Sequence, residues 1–125
     1  MSVRRWLPPL IWAGVILLGT SLPQDAVPVQ TSNIDKFLHF TIYTVFAFLL
    51  TRQISEDTTR GRAVFGAVLI AAAFAAADEW HQRFIPGRFP EFADWLADVA
   101  GAILGAVVYA LVFDRRRTAS AVGSR

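Results

Sequence analysis

Four long apolar blocks, divided by short polar segments, constrain this chain more than any other feature. They run Trp6 to Leu22, Phe37 to Leu50, Ala63 to Ala77 and Leu96 to Phe113. The second extends to Ile54 if Arg52 turns its charged head to the surface, and the third continues toward Ile85. In lipid such blocks must be helices, because strands would leave backbone groups unpaired. A bilayer core takes about 20 helical residues. The second and third blocks reach that length only with their polar ends included. The expected spans are therefore about 6–22, 36–54, 63–84 and 93–113, inside a single domain of residues 1–117. The small polar tail 118–125 is expected to be disordered. The fold class is all-α, a membrane-embedded bundle of four transmembrane helices.

Composition narrows the partners. Charged residues make up 18% of the chain, against about 25% in a soluble domain. The membrane lipid bilayer is thus the first partner. The absence of cysteine excludes disulfides, thiolate metal sites and a cysteine nucleophile. A basic excess can signal nucleic acid. Here the basic residues lie between and after the apolar blocks, so no nucleic-acid partner is expected. The first block has the arginines and short apolar run of a signal peptide, but no A-x-A site follows. It reads as a retained helix, with Pro8 and Pro9 suited to its first turn.

Arginine and lysine placement sets orientation. Arg4, Arg5, Arg52, Arg60, Arg62, Arg115, Arg116, Arg117 and Arg125 fall on one side, and Lys36, Arg83 and Arg88 on the other. This alternation fits both termini in the cytoplasm, with the segments from Pro23 to Lys36 and from Asp78 to Glu91 facing outward. Gly101 and Gly105 have the GxxxG spacing of a close helix contact.

Three polar groups interrupt the apolar pattern. Asp35, His39 and Tyr43 share one helix face, with Lys36 beside them. Asp78, Glu79 and Gln82 end the third block, alongside His81 and Arg83. Asp94 and Asp98 open the fourth. Counted from the inner ends of their spans, His39, Asp78 and Asp98 all lie about 22 Å up a core of about 30 Å. Groups at matching height in the outer leaflet should face one another or a wet cleft. The loop from Phe84 to Glu91, with a Pro86-Gly87 turn signal, would roof that pocket. Pro90 can start the fourth helix, with Glu91 favourable in its first turn.

Each residue has a plain reading beside the functional one. Ser32 and Asp35 fit a capping box, and Lys36 an interfacial anchor. Tyr43 fits a packed aromatic with a paired hydroxyl. Glu79 could pair with Arg83 at i, i+4, and Gln82 could tie helices together. Arg88 and Asp94 could form an ion pair, or Arg88 could clamp a phosphate or carboxylate. Asp98 needs a partner such as His39, Arg88 or Lys36. Glu79 is the strongest candidate for chemistry, since it adjoins Asp78 in the paired arrangement expected of a general acid or base. His39 would be the second proton carrier.

Together these motifs resemble the VanZ-like family of bacterial membrane proteins, whose namesake is associated with teicoplanin resistance. The resemblance rests on Asp35-Lys36-x-x-His39 followed by Tyr43, on Asp78-Glu79-x-x-Gln82 with Phe84-x-Pro86-Gly87-Arg88 downstream, and on Asp94-x-x-x-Asp98-x-x-Gly101 followed by Gly105. Asp98 departs from the family pattern, which usually has Asn there. The resemblance implies a multi-pass protein of the bacterial plasma membrane and cell envelope, linked to antibiotic resistance.

Three functions are expected to compete. In the first, the outward pocket binds or modifies a lipid-linked envelope precursor or changes how a glycopeptide meets its target. Asp35, Lys36, Tyr43, Gln82, Arg88, Asp94 and Asp98 would line that pocket. The second is an intramembrane hydrolase or transferase using Glu79, His39 and Asp78. The third is a structural or accessory bundle, able to form a homo-oligomer. No cofactor is predicted: His39, Glu79, Asp94 and Asp98 are donors of the kind zinc or manganese takes, but no H-x-x-x-H or H-E-x-x-H motif is present.

Overall fold

The structure is a computed structural model and describes residues 2–23 and 32–123. The side chains of Ser32 and of residues 114–122 lie outside the description, so the expected cap at Ser32 and the roles of Arg115, Arg116 and Arg117 fall there too. A 3-10 turn, Val3–Trp6, leads into α1, Leu7–Thr20, with proline in its first turn. Then come α2, Ser32–Ile54, α3, Arg60–Gln82, and α4, Phe92–Gly123. The described residues contain no strand.

Three stretches are long and apolar enough to cross a membrane: Asn33–Ile54, Arg60–Gln82 and Phe92–Phe113. The 14 residues of α1 give about 21 Å of helix, less than a core of about 30 Å. α4 starts at Phe92, where the Glu91 carbonyl accepts from the backbone N–H groups of Asp94 and Trp95. Its helical backbone runs to Gly123, so residues 118–123, expected to be disordered, continue the helix. Ala119 and Ala121 have the highest helix propensity of any residue type.

Packing is inverted relative to a soluble protein. The buried residues are small, polar or lie near the axis, while Leu18, Phe65 and Leu69 are 58–74% exposed. In lipid, helices gain nothing from hiding leucine from their surroundings, so association relies on close backbone approach. Ala63, Ala67, Ala71 and Ala75 form a buried stripe along α3, and Ala102, Ala106 and Ala110 do so along α4. α2 and α4 approach most closely. A Cβ on Gly101 would run into the Phe40 carbonyl, and one on Gly105 into that of Thr44. The expected GxxxG contact is therefore where these two backbones touch.

Indole donors fasten the neighbours. Trp12 Nε1 donates to the Ile42 carbonyl at 2.9 Å, joining α1 to α2. Trp95 Nε1 donates to the Ala72 carbonyl at 3.0 Å, joining α4 to α3. Tyr43, Phe46 and Phe74 fill the space between α2 and α3, with ring centroids 5.1–6.4 Å apart. The alanine stripe of α3 ends in Asp78, Glu79 and Gln82, all buried. One packing face thus changes from apolar to polar within a single turn.

Candidate functional site

The three polar groups meet at one end of the bundle, as their equal depths predict. Close packing at Gly101 sets Asp98, one turn earlier on α4, against α2. There His39 Nδ1 and Asp98 Oδ1 are 2.8 Å apart, both residues buried. With the proton on Nδ1, the imidazole donates to the carboxylate and turns Nε2 toward Asp35, whose Oδ2 is 3.9 Å away. Of the partners expected for Asp98, His39 is the one in contact.

Asp94, one turn before Asp98, meets Lys36 Nζ at 3.3 Å, and the same ammonium reaches Glu91 Oε2 at 3.1 Å. Lys36 therefore bridges α2 to the start of α4. Glu79 accepts from the Glu91 backbone N–H at 3.2 Å through Oε2, while Oε1 has no hydrogen-bond partner. Asp78 Oδ1 accepts from the Thr20 hydroxyl at 2.7 Å. Gln82 is buried one turn from Asp78. The Tyr43 ring packs as a core aromatic, but its hydroxyl is buried without a hydrogen-bond partner, within electrostatic reach of Asp98, Asp78 and Glu79.

Two alternatives from the sequence are not what the residues do. Arg88 does not pair with Asp94. Its Nε donates to the Leu22 carbonyl at 2.8 Å and a terminal nitrogen to the Gly19 carbonyl at 3.3 Å. The Pro86-Gly87 turn explains this. Gly87 has φ 76° and the Arg88 N–H returns to the Ile85 carbonyl at 3.2 Å, the type II pattern that needs glycine at its third position. That reversal points Arg88 at the carbonyls ending α1, the negative end of the helix dipole, which attract a cation. Likewise Glu79 is bonded to the Glu91 backbone and not to Arg83, which is exposed.

Thr20 and the α1 carbonyls were missed by sequence reasoning. Thr20 closes the first apolar block, and nothing in its local sequence names a partner. The available signal was a hydroxyl at the end of an apolar span, at the height of the other polar groups.

Two cavities open onto this cluster. One, of about 230 Å³, lies between α1 and α2. Val15, Ile16, Leu38 and Ile42 form apolar walls, and Asp35, His39, Tyr43 and Arg88 a polar end. The other, of about 420 Å³, lies between α3 and α4 and is lined by Glu79, Arg83, Glu91 and Trp95 among others. Of the four donors that could suit a metal, His39, Glu79 and Asp98 come together, with ligand atoms within 4.8 Å of one another. Asp94 falls instead into a second group with Asp35 and His39.

A family profile described as VanZ/LLP1 matches residues 6–113. No curated protein and no solved structure matches the chain.

Proposed function

Since the chain belongs to the VanZ/LLP1 family, we propose that it is a multi-pass protein of the bacterial plasma membrane that receives the head group of a lipid-linked envelope molecule. The observation that carries this is the cavity between α1 and α2. Its walls suit an acyl or prenyl chain, and its polar end offers His39, Asp35 and Tyr43 to a head group. Such a division between apolar wall and few polar contacts is the common pattern of ligand sites. Where that molecule is the target of a glycopeptide drug, its capture would change how the drug meets it.

The topology in this reading is four crossings with both termini cytoplasmic. The first crossing is the segment of about 6–22, whose 17 residues are at the short end of the about 17 to 25 that span a bilayer core. The basic asymmetry supplies the direction.

Native mass spectrometry of protein gently extracted from its own membrane tests the reading. Gly19 lines the cavity, and a Cβ added there meets nothing within 4 Å. Gly19→Leu should therefore fill the cavity without disturbing the fold. Wild type is expected to carry a lipid-linked adduct that Gly19→Leu and His39→Gln both lose. An adduct retained equally in Gly19→Leu would show that the cavity is not its seat.

A second reading is favoured by one further observation. Glu79 and His39 are both buried, with ligand atoms within 4.8 Å, and Glu79 Oε1 is unengaged. In an intramembrane hydrolase or transferase Glu79 would act as base and His39 as second proton carrier. This reading requires turnover of the co-purifying molecule, abolished in Glu79→Gln at unchanged membrane abundance.

A further inference from the structure

We propose that His39, Glu79 and Asp98 form a binding site for one divalent transition-metal ion, Zn²⁺ or Mn²⁺. The site stands on its own geometry and holds whether or not a lipid-linked ligand enters the α1–α2 cavity.

Three observations converge. The first is donor placement. One imidazole and two carboxylates from three different helices, all buried, present ligand atoms within 4.8 Å of one another. Metal–nitrogen and metal–oxygen bonds of about 2.0–2.2 Å put neighbouring ligands of a tetrahedral ion about 3.3–3.6 Å apart. Small rotamer adjustments close the gap. The 2.8 Å separation of His39 Nδ1 and Asp98 Oδ1 is that of a shared proton; an ion taking the proton's place would part the two atoms by about half an ångström and draw Glu79 toward them. Nitrogen–oxygen donor sets of this kind suit zinc and manganese.

The second is unmet bonding capacity. Glu79 Oε1 has no hydrogen-bond partner although its residue is buried, and the buried Tyr43 hydroxyl has none either. Buried polar atoms are normally satisfied, so two such atoms beside one cluster call for a missing partner. A cation would take Glu79 Oε1 directly. A water on that cation would donate to the Tyr43 oxygen.

The third is charge. Asp78, Glu79, Asp94 and Asp98 are all buried. Among the described residues, the side chains that hydrogen-bond or ion-pair with them include Thr20, His39, Lys36 and Gln82. Lys36 brings one positive charge, and protonated His39 a second. Carboxylates in excess of cations, away from water, require a counter-charge. A divalent ion supplies it at the point where three of the elements meet.

Tag-free protein in detergent, stripped with a chelator and titrated with Zn²⁺ and separately with Mn²⁺, decides the matter. Metal content after dialysis gives stoichiometry, and the thermal midpoint reports whether each variant is folded. Wild type is expected to retain one ion per chain and to lose thermal stability on chelation. Glu79→Gln and Asp98→Asn keep side-chain size. Each should weaken binding by more than the about 10- to 100-fold that losing an outer partner costs. Tyr43→Phe should fall within that range, and so should Asp35→Asn, whose carboxylate faces the second ring nitrogen of His39. No retained ion in wild type would overturn the proposal. So would an ion lost in Asp35→Asn and Asp94→Asn but kept in Glu79→Gln, which would assign it to the second donor group.

Discussion

The two ends of this bundle use the same kinds of side chain in opposite ways. At the end where α2 turns into α3, Arg5 donates to the Gln53 carbonyl and pairs with Glu56 and Asp57, whose side chains are 44% and 55% exposed. The polar residues buried there, Thr51 and Gln53, are neutral. At the other end four carboxylates and a histidine lie at 9% exposure or less. Charges left at a surface keep most of their hydration and cost the fold little. Buried charges are costly unless each is matched. One end is therefore a fastening between segments. The other is retained against that cost, and the cost points to a ligand.

The largest expected effect strikes both ends together. Even one methyl group on Gly105 would overlap the Thr44 carbonyl, so Gly105→Leu should leave no folded protein in the membrane. Gly105→Ala should lose about 3 kcal/mol in a denaturant titration, at the upper end of overpacking costs. The chain has no cysteine, so single cysteines placed at Thr51 and at Gln82, both buried, can report thiol accessibility at each end. Both should become reactive in Gly105→Ala. Reactivity at only one would show that the ends fold independently.

Next in size is the matched pair at the buried end. His39→Leu leaves Asp98 without its partner inside the bundle, at a cost of about 3 kcal/mol. His39→Leu combined with Asp98→Leu should recover most of that loss, because two apolar residues need no match. A double variant no more stable than the single one would mean that Asp98 is satisfied by something other than His39.

The difference between the ends also explains what could be read from the sequence. Helical periodicity and equal depth placed His39, Asp78 and Asp98 at one level, because rise per residue is fixed by the backbone. The spacing of Gly101 and Gly105 indicated a close contact, and its partner became visible only with α2 in place. Partner choice was less legible. Arg88 had Asp94 or a ligand anion as its expected partner, and the loop turn at Gly87 turns it instead to the carbonyls of α1. Glu79 had Arg83 at the right spacing, but it is bonded to the Glu91 backbone, a contact between elements that no local pattern encodes. Thr20 was hidden for the same reason, since its bond to Asp78 spans 58 positions.

A smaller effect is expected where a surface cation meets a buried acid. Lys36 is partly exposed while Asp94 is not, at 30% and 7% for their side chains. The pair stands between the two extremes. A double-mutant cycle of Lys36→Gln with Asp94→Asn should give a coupling of about 1 kcal/mol, at the top of the range for exposed pairs. A coupling near zero would place Lys36 with the surface charges, serving Glu91 alone.

The smallest effect belongs to Arg5. Its hydrogen bond to Asp57 favours the charged guanidinium, raising its pKa further, so the fastening persists wherever the acids are ionised. Both acids are well exposed, however, and water and salt compete for them. Arg5→Gln should lower the thermal midpoint slightly in dilute buffer. In about 1 M salt, where the screening length is about 3 Å, the variant and wild type should coincide. His39→Leu should keep its full deficit in the same salt, because a bundle interior admits few ions. If Arg5→Gln also stayed destabilised at high salt, the lost hydrogen bond to the Gln53 carbonyl would outweigh the ion pairs. The two ends would then differ in the neutral groups they bury and no longer in how they treat charge.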